Sequence, residues 1–362
     1  MNKVFRADQV GSLLRPSELL EARAAQPANV DDLRAIEDRV IAEALQKQRD
    51  IGLDVVTDGE MRRASWLADM AAAVEGFGPA RLILDWKGPG GGTEATNASA
   101  VIAKLRKVRK LTGHEVPFLK KSAGVPFKMT VPAPSNFMIA SYTVGVTDKI
   151  YPTHADLLRD LTEIVRDEVA WLVEEGVDYI QFDAPYYSHY LDPQAREQFR
   201  AKGLDPDREL TEAIEGDNVA LRAGQRNGTT MALHVCRGNN RSRWYTEGGY
   251  DAIAEKLFGQ LEVDTFLLEY DTERSGGFEP LRLVPKGKRV VLGLITTKDA
   301  KLESIDELRR RIDEAARFIP LENLSISTQC GFASTAPGNL LTADEQWRKL
   351  ELDVETARKV WS

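Results

Sequence analysis

At 362 residues, with 43% apolar positions and a mean hydropathy near −0.34, the chain can bury a full core as one large α/β barrel or as two modest domains. A net charge of −8 with no basic block argues against nucleic acid as a partner, and no apolar run approaches the roughly 18 residues of a membrane span. The N-terminus lacks the apolar core of a signal peptide and only two cysteines occur, so a reducing cytoplasm is expected, with the thiols serving as ligands ahead of a disulfide.

Arg6–Ser12 reads as a short extended segment that leads, after Pro16, into a helix near 17–25. A second helix spans about 31–49, with Leu33, Ile36, Val40 and Leu45 at helical spacing and Gly52 closing it. Leu53–Asp58 is then a buried strand that finishes at the charged tip Asp58-Gly59-Glu60. Residues 75–124 break the rhythm as an excursion. Gly88–Gly92 is its flexible tip, with a weak hairpin around it, and the basic run Lys104–Lys110 is a solvated face. The glycine-rich tip lacks the Lys-Ser/Thr of a phosphate-binding loop.

A strand at 127–131 and a loop at 132–136 come next, then a long amphipathic helix from His154 to Glu175, ended by Gly176. Strands at 177–183, 231–236, 265–269, 289–295 and 324–328 alternate with helical sequence at about 192–226, 251–261, 303–318 and from 343 onward. Alternation of this kind predicts a parallel sheet, and no dinucleotide glycine fingerprint follows the first strand. Ligand-type side chains recur where strands end: Glu60, Asp183, His234, Cys236, Glu269 and Cys330. A (β/α)8 TIM barrel builds its site at that end. The expected fold is therefore α/β, a single TIM-barrel catalytic domain over residues 1–362 with the excursion near 75–124.

His234 and Cys236, two apart on one strand, point to the same side. The second cysteine, Cys330, and the carboxylate Glu269 close other strands. A buried cysteine is usually a small hydrophobe, yet both cysteines and one of only four histidines fall at corresponding strand ends. One imidazole, two thiolates and one carboxylate suit Zn2+, which takes N, S and O ligands tetrahedrally. So many soft, anionic ligands suit activation of a thiol better than hydrolysis. Glu269, the hardest ligand, is the one expected to yield to an incoming sulfur.

Here the residues meet a family. Val10-Gly-Ser12, Asp58-Gly-Glu60, Ile180-Gln-Phe-Asp183-Ala-Pro, His234-Val-Cys236, Glu269 and Gln329-Cys-Gly331 occur in this order. Through them nearly the whole chain resembles the catalytic C-terminal barrel of cobalamin-independent methionine synthase. The resemblance implies zinc held by His234, Cys236, Glu269 and Cys330, and homocysteine held by Gly11, Ser12, Glu60 and Asp183. Two carboxylates suit an α-ammonium, and N–H and O–H donors suit an α-carboxylate. Family members of full length carry a further N-terminal barrel, for which 362 residues leave no room. Where the family places a histidine that protonates the leaving pterin nitrogen, this chain reads Leu294-Ile-Thr-Thr-Lys298, which leaves the donor open. The zinc enzyme that joins coenzyme M to epoxides is similar too.

Tyr187 and His189, just after Asp183, are candidate proton donors to a leaving group, with aromatic packing at the barrel mouth as the competing role. Trp66 and Tyr186 are candidates for the pocket wall. Arg237 and Asn239, with Arg241 and Arg243 nearby, are candidates to grip a carboxylate or sulfonate, surface ion pairs being their alternative. His114 and His154 carry no expected chemistry. The expected activity is zinc-dependent thiol alkylation, with methyl transfer from a methyltetrahydrofolate-type donor to homocysteine, giving methionine, as the leading case. Addition of a small thiol such as coenzyme M to an epoxide is the runner-up. A non-catalytic zinc-stabilised barrel and a metal-free barrel of the uroporphyrinogen decarboxylase kind are the readings from other classes.

Overall fold

The computed structural model describes residues 3–25, 29–67, 69–225 and 228–361. Its centre is a six-stranded parallel sheet of β3 (Lys128–Pro132), β4 (Tyr179–Asp183), β5 (Thr230–Val235), β6 (Thr265–Glu269), β7 (Arg289–Ile295) and β8 (Leu324–Thr328), paired in chain order. Two shorter extended segments close the ring. Ala7 bridges in parallel to Ile326 of β8, and Val56 bridges in parallel to Phe127, just before β3. The two segments meet where Asp54 N–H donates to Ala7 O at 3.3 Å and the Asp54 carboxylate accepts from the Arg6 and Ala7 amides. Eight staves thus surround one axis, as the alternation predicted.

Nearly every residue of β3 to β8 is buried, the signature of parallel strands covered on both faces. Inside, Phe5, Val55, Tyr179, Ala232, Leu267 and Val291 pack as a separate apolar cluster that fills the N-terminal end. Above this plug Lys128 is fully buried, its Nζ donating to Asp8 Oδ1 (2.6 Å), Gln9 O (2.6 Å) and Gln181 Oε1 (2.9 Å).

Helices begin and end at the punctuation in the sequence. Asn29 caps Val30–Ile51, accepting from the Asp31 and Asp32 amides, and Gly52 ends that helix at φ +90°. Thr153 caps His154–Glu174, Asp205 caps Pro206–Arg222, and Ser304 caps Ile305–Ala315. Ala343–Trp361 closes the wall.

Two expectations need correction. The proposed loop at 132–136 turns into a helix, Pro134–Ala140, with Pro134 at its first position, where the missing N–H costs nothing. The weak hairpin is in fact a long one: β1 (Val74–Trp86) runs antiparallel to β2 (Gly92–Lys107), with residues 87–91 as its tip. That tip is fastened, since Lys87 exchanges backbone hydrogen bonds with Trp244, beyond β5. Along Lys104–Lys110 the solvated face holds for Lys104, which pairs with Asp160, whereas Lys107 is part-buried on Glu168.

Candidate active site and metal centre

Strand register places the candidate ligands. Asp183 pairs with His234 across β4 and β5, and Cys236 follows β5 directly. Cys330 follows β8 by two residues. The ligand atoms of His234, Cys236 and Cys330 lie within 4.8 Å of one another, all three buried. Both cysteines are free thiols, so the disulfide is absent. Neither ring nitrogen of His234 makes a hydrogen bond, although both are buried. A buried imidazole beside two thiols has a nitrogen lone pair to give, and a soft cation would accept it. The cluster's own electrostatics point the same way. The Cys236 thiol and the His234 ring hold the Cys330 pKa well below the thiol range, while contact with Cys330 and burial push that of Cys236 well above it.

Glu269 ends β6 beside this cluster but is not one of the three. Its Oε1 accepts from Arg274 Nε at 2.7 Å and its Oε2 from the Arg237 amide at 2.9 Å. Burial alone would raise its pKa; Arg274 and Arg237 reverse that and keep it ionised. Arg274 also grips both oxygens of Asp271 and lies 4.9 Å from the Trp244 ring, the residue that fastens the hairpin tip.

A cavity of about 210 Å³ opens over the cluster, and Ser12, Glu60 and Asp183 line it together with His234, Cys236 and Cys330. Glu60 stands on a turn at φ +55°, a left-handed conformation that costs an ordinary residue on the order of 1–3 kcal/mol. Asp58 Oδ1 accepts its amide at 2.9 Å and Arg15 donates to its carbonyl at 3.0 Å, so the strained turn is over-determined. One Glu60 oxygen accepts from Thr130 Oγ1 and the other has no partner. Asp183 accepts from Gln181 Nε2 at 2.7 Å, and burial, then the nearby Glu60 charge, lift its pKa to about 7. Gly11 does not line the cavity but makes room for it. At φ +147°, a Cβ there would stand 2.9 Å from Thr130 Cγ2 and 3.3 Å from Glu60 Oε1.

Of the wall candidates, Trp66, Tyr186 and Asn239 face the cavity. Arg237 does not. Fully buried, it donates to Gly248 O and lies 4.3 Å from the Tyr250 ring, so it braces the loop. Tyr187 and His189 are also absent from the wall. Tyr187 O–H donates to Asp217 at 2.9 Å, and His189 stacks on Tyr186 at 4.9 Å, so both pack the barrel mouth. Arg243 reaches outward to Glu94 on the hairpin. The sequence alone missed the far wall: Phe77, Leu82, Leu84 and Trp86 of β1, and Phe137 of the helix that starts at Pro134. Asn136, next to Phe137, stands just past β3, where strand-end logic would have found it.

Residues 10–358 match the family model described as the catalytic domain of cobalamin-independent synthase. The chain belongs to the cobalamin-independent synthase family. Within this family, an uncharacterized protein, YxjH, of Bacillus subtilis (strain 168) is 39% identical over 370 residues, spanning 99% of this chain and 95% of the relative. A methionine synthase of Saccharolobus solfataricus is 26% identical over 364 residues, spanning 97% and 93%. The crystal structure of a Listeria monocytogenes protein, provisionally assigned as a vitamin-B12-independent methionine synthase, superposes with a TM-score of 0.75 at 26% identity, covering 100% of this chain and 99% of that one. Among the described residues, no helix of this synthase-family chain is long and apolar enough to cross a membrane.

Proposed function

We propose that this protein is a zinc-dependent thiol methyltransferase that methylates homocysteine to methionine, working as a single catalytic barrel. What carries this is one juxtaposition: His234, Cys236 and Cys330 converge on the floor of a cavity whose wall also holds Glu60 and Asp183. The first three would hold the ion, and Glu269, at the end of β6, is our candidate for a fourth, exchangeable ligand. When bound, zinc lowers the pKa of a substrate thiol so that sulfur is nucleophilic at neutral pH.

The chain's own residues do the rest. Glu60 and Asp183 meet the α-ammonium of the amino acid, and Ser12 offers its hydroxyl to the α-carboxylate. The apolar far wall excludes water from the reacting sulfur. Coenzyme M has no ammonium to meet those two carboxylates, which would repel its sulfonate, so the amino acid thiol is the better fit. A purely structural zinc site would be closed, whereas this cluster faces a cavity of about 210 Å³. The family match and the archaeal relative named methionine synthase point to the same chemistry.

X-ray absorption on the zinc-loaded protein tests this. Two sulfur ligands are expected without homocysteine and three with it, and methionine is expected by mass once a competent methyl donor is supplied. An unchanged sulfur count would leave the site structural.

A further inference from the structure

The wall facing the metal cluster differs from what a folate donor requires. Six aromatic rings line it: Trp66, Phe77, Trp86, Phe137, Tyr186 and Tyr245. The carboxylates on the same wall are Glu60 and Asp183, and among the described residues no lysine or arginine lines it. The cations nearby are committed elsewhere. Lys298 Nζ donates to Gly238 O, Asn239 Oδ1 and Arg243 O, and Arg243, over the Trp86 ring at 5.3 Å, is tied to Glu94. A polyanionic tail would find no partner here.

The wall's carboxyl groups, Glu60 and Asp183, are committed to the α-ammonium on the chemistry proposed above, and among the described residues no other good proton donor to a leaving nitrogen lines it. Of the four histidines only His234 lines the cavity, and it belongs to the metal cluster. His114 lies by Asp69, His154 is bonded to Glu209, and His189 stacks on Tyr186. Tyr186 and Tyr245 do reach the cavity, but burial pushes Tyr186 up to about 12 and raises Tyr245 as well, which makes them weak acids.

An electron-rich pocket that no lysine or arginine lines suits a donor that is itself positive and leaves without a proton. Aromatic faces attract sulfonium and quaternary ammonium groups, whose charge is spread over methyls. Resting on the thiol transfer proposed above, we propose that the methyl donor is a small methyl-onium cation, sulfonium or quaternary ammonium, held among these rings beside the metal cluster. The step balances without an acid. The homocysteine sulfur lone pair forms the new S–CH3 bond, and the old bond from methyl to the onium atom breaks. Its electron pair stays on that atom, which departs as a neutral thioether or tertiary amine. The single proton released is that of the homocysteine thiol, lost on binding.

The test uses the zinc-loaded full chain with homocysteine and CD3-labelled donors: S-methylmethionine and dimethylsulfonioacetate, glycine betaine, and methyltetrahydrofolate. Labelled methionine is expected from an onium donor, at least about tenfold faster than from the folate; the sulfonium and betaine arms show which onium is used. Binding is read separately, by calorimetry with choline against its neutral isostere 3,3-dimethylbutanol. The cation is expected to bind roughly 5–30-fold more tightly. Trp86→Leu, or Phe137→Leu should the first variant fold poorly, is expected to erase most of that preference. If homocysteine enters the zinc sphere but no onium donor gives product and choline binds no better than its isostere, the donor assignment is overturned while the thiol chemistry stands. If homocysteine does not reach the metal, both fall.

Discussion

Arg274 Nε donates to Glu269 Oε1 at 2.7 Å, so the carboxylate that would complete the metal centre is engaged by a guanidinium beside it. In Arg274→Gln the buried carboxylate loses its countercharge, a change that typically costs about 3–5 kcal/mol. Zinc would then become its partner. The gain in melting temperature on adding zinc is expected to be larger in the variant than in the wild type. Thermal unfolding with and without one equivalent of zinc measures this, and equal gains would show that Glu269 never reaches the ion.

Metal content follows from the cluster. His234→Ala and Cys330→Ala each remove one of three converging ligands. Bound zinc is expected to fall from about one per chain to a small fraction of that after dialysis. Elemental analysis checks the content, and circular dichroism checks that the barrel persists. Retention of full zinc in either variant would mean that the ion lies elsewhere.

Gly331 follows Cys330, and a Cβ there would stand 2.0 Å from Ser12 Oγ and 3.1 Å from Ser12 N. Gly331→Ala must therefore push Ser12 out of place. Overpacking of this kind costs about 1–3 kcal/mol of stability. The larger expected effect is on homocysteine: a KM raised by an order of magnitude or more, with zinc content unchanged. Steady-state kinetics with homocysteine varied separates the two, and a normal KM would show that Ser12 takes no part in binding.

Asp217 supplies a pH signature away from the metal. Its oxygens accept from Ser135 N, Ser135 Oγ and Tyr187 O–H, yet burial outweighs these bonds and lifts its pKa from 3.8 to about 6. A carboxyl raised on folding weakens the fold as pH rises from its unfolded value through its folded one. Between pH ~4 and ~7 the wild type should lose on the order of 3 kcal/mol through this group. Asp217→Asn cannot titrate, so its stability relative to wild type should climb over that window. Urea unfolding at a series of pH values reads the difference; a constant offset would show that the pair titrates alike.

Much of this was legible because barrels place reactive groups at strand ends, and strand ends are local features. Buried runs such as Arg289–Ile295 and Leu324–Thr328 stop where the structure stops them. What misled was contact over distance. Arg237 looked free beside β5, but its guanidinium donates to Gly248 O and lies over the Tyr250 ring. Tyr187 is held by Asp217, thirty residues on. The hairpin read as weak because much of it is exposed and Gly76, Gly78 and Pro79 interrupt its first strand. Its anchor, Trp244, lies more than a hundred residues away. Pro134 was misjudged for another reason, since proline both ends loops and begins helices.

The apolar plug of Phe5, Val55, Tyr179 and their neighbours has a kinetic consequence. With the far end of the barrel filled by this cluster, substrates of the proposed reaction would enter from the strand-end face that holds the cavity. On the proposed chemistry the thiol docks innermost, so it must arrive before the methyl carrier, and the spent carrier must depart before methionine can. Turnover by that route would be ordered by the depth at which each substrate binds.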